Sequence, residues 1–257
     1  MSDLSITALY TSQVWAWGKL PCADLLASTE AKRVFDVTNA ALGLARLVRR
    51  DLPDLRHALL QRHAMIDHLL VAASEHKVIE LAAGLSRRGA AFAGEREYVE
   101  IDLPPVIAKK RALLERTPAG RAALAKIALV GGDVADVALP GPALVIAEGL
   151  LVYLQGDARR KLFERVRAAA TTFVFDLTPS SEEPPPGRIG RALEAGMKRA
   201  TGGKTFERDA KTRDQIAGEL RAAGFADVDA FAARDVAGAW HLPFADRATP
   251  TIVWRAR

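Results

Sequence analysis

The chain has 257 residues, 49% of them hydrophobic, and a formal net charge of +5. That length carries one large α/β domain or two small ones. A single cysteine, Cys22, excludes an internal disulfide framework and a cysteine-rich zinc site.

The basic charge is mild and spread along the chain. Its densest clusters, Arg49-Arg50 and Lys109-Lys110-Arg111, fall where helices are expected and read as solvated helix faces, so no nucleic-acid partner is expected. The N-terminal MSDLSITALY lacks a basic region followed by an apolar core, so no signal peptide is expected. No apolar run reaches the ~18 residues of a membrane span. These features lead to the expectation of a cytoplasmic protein with a small-molecule substrate and no membrane partner. They leave the oligomeric state open.

In chain order, residues up to about Ala73 read as helices. In DLPDLRHALLQRHAMIDHLL, apolar Leu55, Leu59, Met65, Ile66, Leu69 and Leu70 recur at roughly helical spacing. KVIELAA then reads as a strand, with a helix opening near Gly84. EREYVEID is a second strand and LPPVIAKKRALLERT a helix, with prolines tolerated in its first turn. KIALVGGD is a third strand, ALVIA a fourth and TFVFDLT a fifth, with the helix DARRKLFERVRAAA between the last two. PSSEEPPPG, residues 179–187, cannot continue a helix or a central strand. Helical stretches follow to about Gly224, and ADVDAFAARD and TPTIVWRAR are candidate final strands.

Strands alternating with helices predict an α/β fold with a mostly parallel sheet covered on both faces. The apolar runs ALVIA and FVF fit buried central strands. The two last strands allow an antiparallel C-terminal hairpin. This is the layout of a class I methyltransferase, with a Rossmann-like sheet and an N-terminal helical cap. The expected units are a cap over 1–73 and a core over 74–257, with a lid-like insertion near 179–205.

Ligands of open α/β sheets sit beyond the carboxyl ends of the strands. The first strand ends in ELAAG, where a dinucleotide fingerprint would need three glycines and Gly84 is alone. The next three strands end in Asp102, Asp133 and Glu148, so with Glu80 four acids stand in register. Glu100 shares a strand face with Asp102 but lies further from the carboxyl end, so Asp102 is favoured for ribose hydroxyls. A crevice lined with acceptors and poor in phosphate sites suits S-adenosylmethionine, which carries a sulfonium, an ammonium, ribose hydroxyls and an adenine amine. Two alternatives stay open: an NAD-dependent oxidoreductase, and a methyltransferase-like binding protein without catalysis.

ELAAGLSRRG, YVEIDLPPVIAKKRALL, GGDVAD and AEGLLVYL, with RHAMIDHLL upstream, resemble the leucine carboxyl methyltransferase family, which includes carboxyl O-methyltransferases of polyketide biosynthesis. The resemblance implies an S-adenosylmethionine-dependent O-methyltransferase acting on a carboxylate. It implies that Arg62 reaches the cofactor's amino-acid carboxylate and that Gly84 lies in the turn beneath it. Asp102, with Leu103, takes the ribose side; Asp133 and Val134 take the adenine side; Glu148 lies near the amino-acid end. Tyr153 is placed toward the substrate. This chain departs from the family pattern at Ala82, in place of the first turn glycine, and at Ser86-Arg87-Arg88, where Asp-Thr-Arg is commoner.

The aromatic segment ALYTSQVWAWGKL brings Tyr10, Trp15 and Trp17, which either pack a helix on the sheet or form a substrate wall. Lys19 beside them either pairs with an acidic substrate or is simply solvated. In AWHLPF, His241 with Trp240 and Phe244 either lines a substrate pocket or packs hydrophobically. The five histidines, His57, His63, His68, His76 and His241, fall at sequential spacings that build no metal site. A carboxylate acceptor, already ionised at neutral pH, needs alignment rather than a general base, which accounts for the lack of an evident catalytic dyad.

Overall fold

The computed structural model describes residues 6–48, 54–182, 210–247 and 249–257. Nearly all of the lid-like insertion expected near 179–205 lies outside the described residues, as does Arg49-Arg50.

Three helices come first: α1 (Ile6–Trp17), α2 (Thr29–Val48) and α3 (Leu55–Ala72). Asp54 starts α3 by accepting the Arg56 backbone N–H at 2.9 Å, which satisfies one of the four donors a helix start leaves open. Strands β1 (Lys77–Leu81), β2 (Glu97–Asp102), β3 (Ile127–Gly131), β4 (Ala143–Ala147) and β5 (Ala170–Asp176) follow. The intervening helices are α4 (Arg88–Phe92), α5 (Pro104–Leu114), α6 (Pro118–Leu124) and α7 (Gly156–Ala169). The chain closes with α8 (Arg213–Ala222), β6 (Val228–Ala232), the single turn α9 (Ala233–Val236) and β7 (Ile252–Ala256).

The seven strands form one sheet in the order β3-β2-β1-β4-β5-β7-β6. β1 to β5 are parallel, β7 inserts antiparallel beside β5, and β6 pairs antiparallel on its outside. The expected class I methyltransferase fold and its late hairpin are both present. Strand order reverses between β1 and β4, and ligands of open α/β sheets bind at such a switch point.

The sequence reading differs from the fold in two places. The helix after the first turn opens at Arg88 rather than near Gly84, because Ala82 and Gly84 both take left-handed backbone. The second helix expected through ERT is instead two helices. Thr117 caps a new one, accepting the Gly120 N–H at 3.0 Å, and Pro118 opens its first turn.

Alternation decides which side chains meet the helices. Ile79, Leu81, Val145, Ala147, Phe173 and Phe175 face the core under α7 and α8. Val78, Tyr98, Leu144, Ile146 and Val174 face Met65, Ile66, Leu69 and Leu70 of α3. α3 is therefore a layer of the sheet itself, while α1 and α2 pack outside it. Glu80, Glu100, Glu148 and Asp176 share the parity of the α3 face.

Candidate active site

The site is built at the carboxyl ends of β1, β2, β4 and β5. The β1 turn runs through Ala82 (φ 49°) and Gly84 (φ 52°). Side chains in this region crowd the following carbonyl, which is why glycine usually stands there. The Gly84 N–H donates to Asp102 Oδ2 at 2.6 Å, and the Leu103 N–H to Oδ1 at 2.7 Å. Asp102 is thus oriented by both chain segments that border the crevice. A Cβ on Gly84 would lie 3.5 Å from the Ala8 methyl, so α1 roofs this turn.

On the β3 side, Asp133 is exposed and its Oδ1 accepts the Ala135 N–H at 2.8 Å. Val134 packs on the sheet core, and its carbonyl accepts from Arg165 Nη1 at 2.5 Å. Arg165 therefore fastens the segment that follows β3.

Beneath the crevice lies a buried charged network. Arg62, on α3, donates from Nε to Glu148 Oε1 at 2.9 Å and from Nη1 to Asp176 Oδ2 at 3.2 Å. Asp176 Oδ1 accepts the Gly149 N–H at 2.5 Å. Arg88, with none of its side chain exposed, donates to Glu148 Oε2 at 2.6 Å, Glu80 Oε1 at 3.0 Å and Asp67 Oδ1 at 2.6 Å. Arg87 pairs with Asp67 and donates from Nε to His63 Nε2 at 3.1 Å. The Tyr98 hydroxyl donates to Glu80 Oε2 at 2.8 Å.

Buried charges persist only when paired and hydrogen-bonded. Burial alone would raise the Glu148 carboxyl, but Arg88, His63 and Arg62 outweigh it and hold it well below the ordinary range. Burial lifts Asp176 above the usual carboxylate value against the pull of Arg62. His63 is driven down to about 3 by burial and by Arg88, so its ring is neutral at physiological pH. Arg87, buried beside Arg88, falls to about 10 and stays cationic.

These placements correct the expectation that four strand-end acids line one crevice with free negative charge. Glu80 is 1% exposed, and both its oxygens are taken by Arg88 and Tyr98. Glu148 is likewise spent on guanidiniums. Glu100 is fully buried against Lys110. Asp102 and Asp133 remain at the crevice itself.

Tyr153 stands in the 3-10 turn after β4 and hydrogen-bonds Thr7 of α1. The Trp15 ring lies 4.4 Å from the His63 ring. Tyr10 is 5% exposed, stacks on Phe35 and donates to Asn39 Oδ1, so it fastens α1 to α2. His241 is exposed at φ 51° and does not join the crevice. Its neighbours Trp240 and Phe244 stack on His68 and His57. Those histidines are eleven residues apart on α3 and share a face, which puts them to packing. Among the described residues no group of three or more metal-ligating side chains occurs.

Sequence reasoning missed Asp176, although FVFD ends β5 as the other acids end theirs. It also missed the pairing of Arg87 and Arg88 with residues of α3, which has no local signal.

The leucine carboxyl methyltransferase family model matches residues 20–167. The chain belongs to that family. The match runs from the 3-10 turn after α1 to the end of α7, and so includes Arg62, Gly84, Asp102, Asp133 and Glu148. Methyltransferases of this family depend on S-adenosylmethionine.

The fold is shared with several solved methyltransferases. A candidate O-methyltransferase from Nostoc punctiforme is 17% identical, with a TM-score of 0.55; the alignment covers 78% of this chain and 58% of that one. The glycopeptide N-methyltransferase MtfA, solved with sinefungin, is 20% identical with a TM-score of 0.52, over 80% of this chain and 87% of its own. PigF, solved with S-adenosylhomocysteine, is 15% identical with a TM-score of 0.53, over 96% and 74%. The chain thus spans little more than half of the Nostoc protein. A comparison with curated protein sequences finds no significant match.

The residues of this family member fit the cofactor on two observations of the structure. Gly149 (φ 69°) lies so close to Arg62 that a Cβ would stand 3.5 Å from both terminal guanidinium nitrogens. The absence of a side chain keeps that guanidinium edge open. Asp102, held by two backbone N–H groups, offers acceptor oxygens suited to vicinal hydroxyls. Among the described residues no helix is long and apolar enough to cross a membrane.

Proposed function

We propose that this chain is an S-adenosylmethionine-dependent O-methyltransferase that methylates the carboxylate of a small, polyketide-like molecule in the cytoplasm. The observation that carries the reading is the meeting of Arg62, Gly84, Asp102 and Glu148 at one sheet end, inside the segment matched by the family.

When bound, the cofactor supplies an electrophilic methyl group on a sulfonium. The chain's own residues bind and orient. Arg62 takes the amino-acid carboxylate, with Glu148 and Asp176 fixing its plane. Asp102 and Leu103 take the ribose, and Asp133 and Val134 border the adenine. α1 excludes water over the Gly84 turn, and Tyr153 faces the acceptor. A carboxylate acceptor has a pKa near 4 and arrives ionised, so no residue must remove a proton. His63 is no candidate base, because its ring is buried and engaged on both nitrogens. Catalysis then rests on alignment and electrostatics.

The reading is tested by incubating the protein with S-adenosylmethionine and parallel panels of carboxylic acids and phenols. Carboxyl methylation gives methyl esters that mild alkali hydrolyses; phenol methylation gives alkali-stable ethers. Base-labile products support the carboxylate reading. Stable ethers alone overturn it. Cofactor binding without turnover on any acceptor favours a binding protein.

A further inference from the structure

His63 has none of its side chain exposed and is contacted by three charged groups whose chemistry dictates where its proton sits. Its Nε2 lies 3.1 Å from Arg87 Nε. A guanidinium nitrogen only donates, so Nε2 must present its lone pair. The single proton of the neutral ring is then on Nδ1, which lies 2.9 Å from Glu148 Oε2 and donates to it. Arg88 Nη2, 2.8 Å from the same Nδ1, finds its acceptor in the His63 carbonyl at 3.2 Å. The opposite tautomer would set Nε2–H against Arg87 Nε–H and the Nδ1 lone pair against a carboxylate. Low pKa and full burial both keep the ring neutral.

The chain of donors continues to the crevice. Glu148 Oε2 is fixed by His63 and Arg88, which leaves Oε1 in place for Arg62 Nε at 2.9 Å. Arg87 stands where Thr is commoner in the family pattern, so this chain has added a buried cation to the arrangement.

We propose that Arg87 is a positioning residue: by donating to His63 Nε2 it fixes the Nδ1–H tautomer, and through Glu148 it holds Arg62 toward the amino-acid end of the cofactor. The last link rests on the cofactor role proposed for Arg62; the tautomer link does not.

Two measurements on the full chain separate these links. Long-range 1H–15N NMR of the imidazoles, with His63 assigned by its loss in His63→Gln, reads the tautomer directly. Wild type is expected to show protonated Nδ1 and bare Nε2, and Arg87→Thr is expected to lose that pattern. Calorimetry then compares S-adenosylhomocysteine with 5′-methylthioadenosine, which lacks the amino-acid end. Arg87→Thr is expected to weaken the first about tenfold and leave the second unchanged. Arg87→Lys keeps a buried cationic donor and is expected to restore most of the difference. A wild-type Nε2–H tautomer overturns the proposal whatever the variants do. So does an Arg87→Thr protein that keeps both the Nδ1–H pattern and wild-type affinity, or one that weakens both ligands equally. Wild type that binds neither ligand but shows the Nδ1–H tautomer overturns the role of Arg62 and confines Arg87 to fixing His63.

Discussion

Glu100 of β2 and Lys110 of α5 face each other inside the protein with 0% and 1% of their side chains exposed. Burial pushes the Glu100 carboxyl upward, and Lys110 pulls it back. Such a pair contributes little net stability but is costly to break. Lys110→Met is expected to destabilise the fold by about 3–5 kcal/mol, because it strands a buried carboxyl. Glu100→Leu combined with Lys110→Met is expected to recover most of that loss. Urea unfolding of the three proteins checks this; a double variant no more stable than Lys110→Met contradicts it. Gly89 belongs to the same account, since a Cβ there would lie 2.3 Å from Glu100 Oε1, and Gly89→Ala is expected to destabilise as well.

Ala82 occupies left-handed backbone at φ 49° without the freedom of glycine. Ala82→Gly relieves that strain while adding flexibility to the unfolded chain, and the first effect is larger. The variant is expected to gain roughly 1 kcal/mol and to bind S-adenosylhomocysteine at least as well as wild type. A lower melting temperature would show that the methyl group packs usefully.

His63 gives the stability a pH dependence with a definite sign. Its pKa is about 3 in the fold against 6.5 for the free group, so between these values the unfolded chain binds the extra proton. The His63 contribution is complete above pH 6.5 and is lost as pH falls toward 3. Glu148, also depressed, adds to the loss below its ordinary value of 4.5. Unfolding free energy measured from pH 8 to 4 is expected to decline steadily below 6.5, and His63→Gln to flatten the upper part of that decline. An unchanged slope in the variant would assign the pH dependence elsewhere.

Gln61 ties the segment before β7 to α3. Its Nε2 donates to the carbonyls of Pro243 and Phe244 at 3.0 Å, and its Oε1 accepts from the Thr249 N–H and hydroxyl at 2.9 Å. Gln61→Leu leaves buried groups without partners and is expected to cost about 2–3 kcal/mol. Hydrogen exchange should accelerate first at the Thr249 amide. Uniform acceleration across the sheet would instead indicate global loosening.

Much of the fold was legible because local signals agreed with it. ALVIA and FVF read as central strands, and β4 and β5 are buried through nearly their whole length. The Asp102 end of β2 was legible from its distance to the turn. Glu80 misled because a strand-end acid looks the same in sequence whether it faces ligand or a buried arginine. Arg88 neutralises it from eight residues away, after a turn whose course the glycine count alone did not reveal. The links from Arg87 and Arg88 to α3 join residues more than 20 positions apart, beyond any periodic pattern. The short helix α6 carried a Thr-Pro start signal, but its seven residues are too few for periodicity to register.

The most direct test of the cofactor assignment is calorimetric titration of the folded protein with S-adenosylhomocysteine, with NAD as control and Asp102→Ala alongside. The account predicts binding of about micromolar strength for S-adenosylhomocysteine, none for NAD, and severe loss in Asp102→Ala. Failure of the folded wild-type protein to bind S-adenosylhomocysteine, or undiminished binding by the variant, would contradict it.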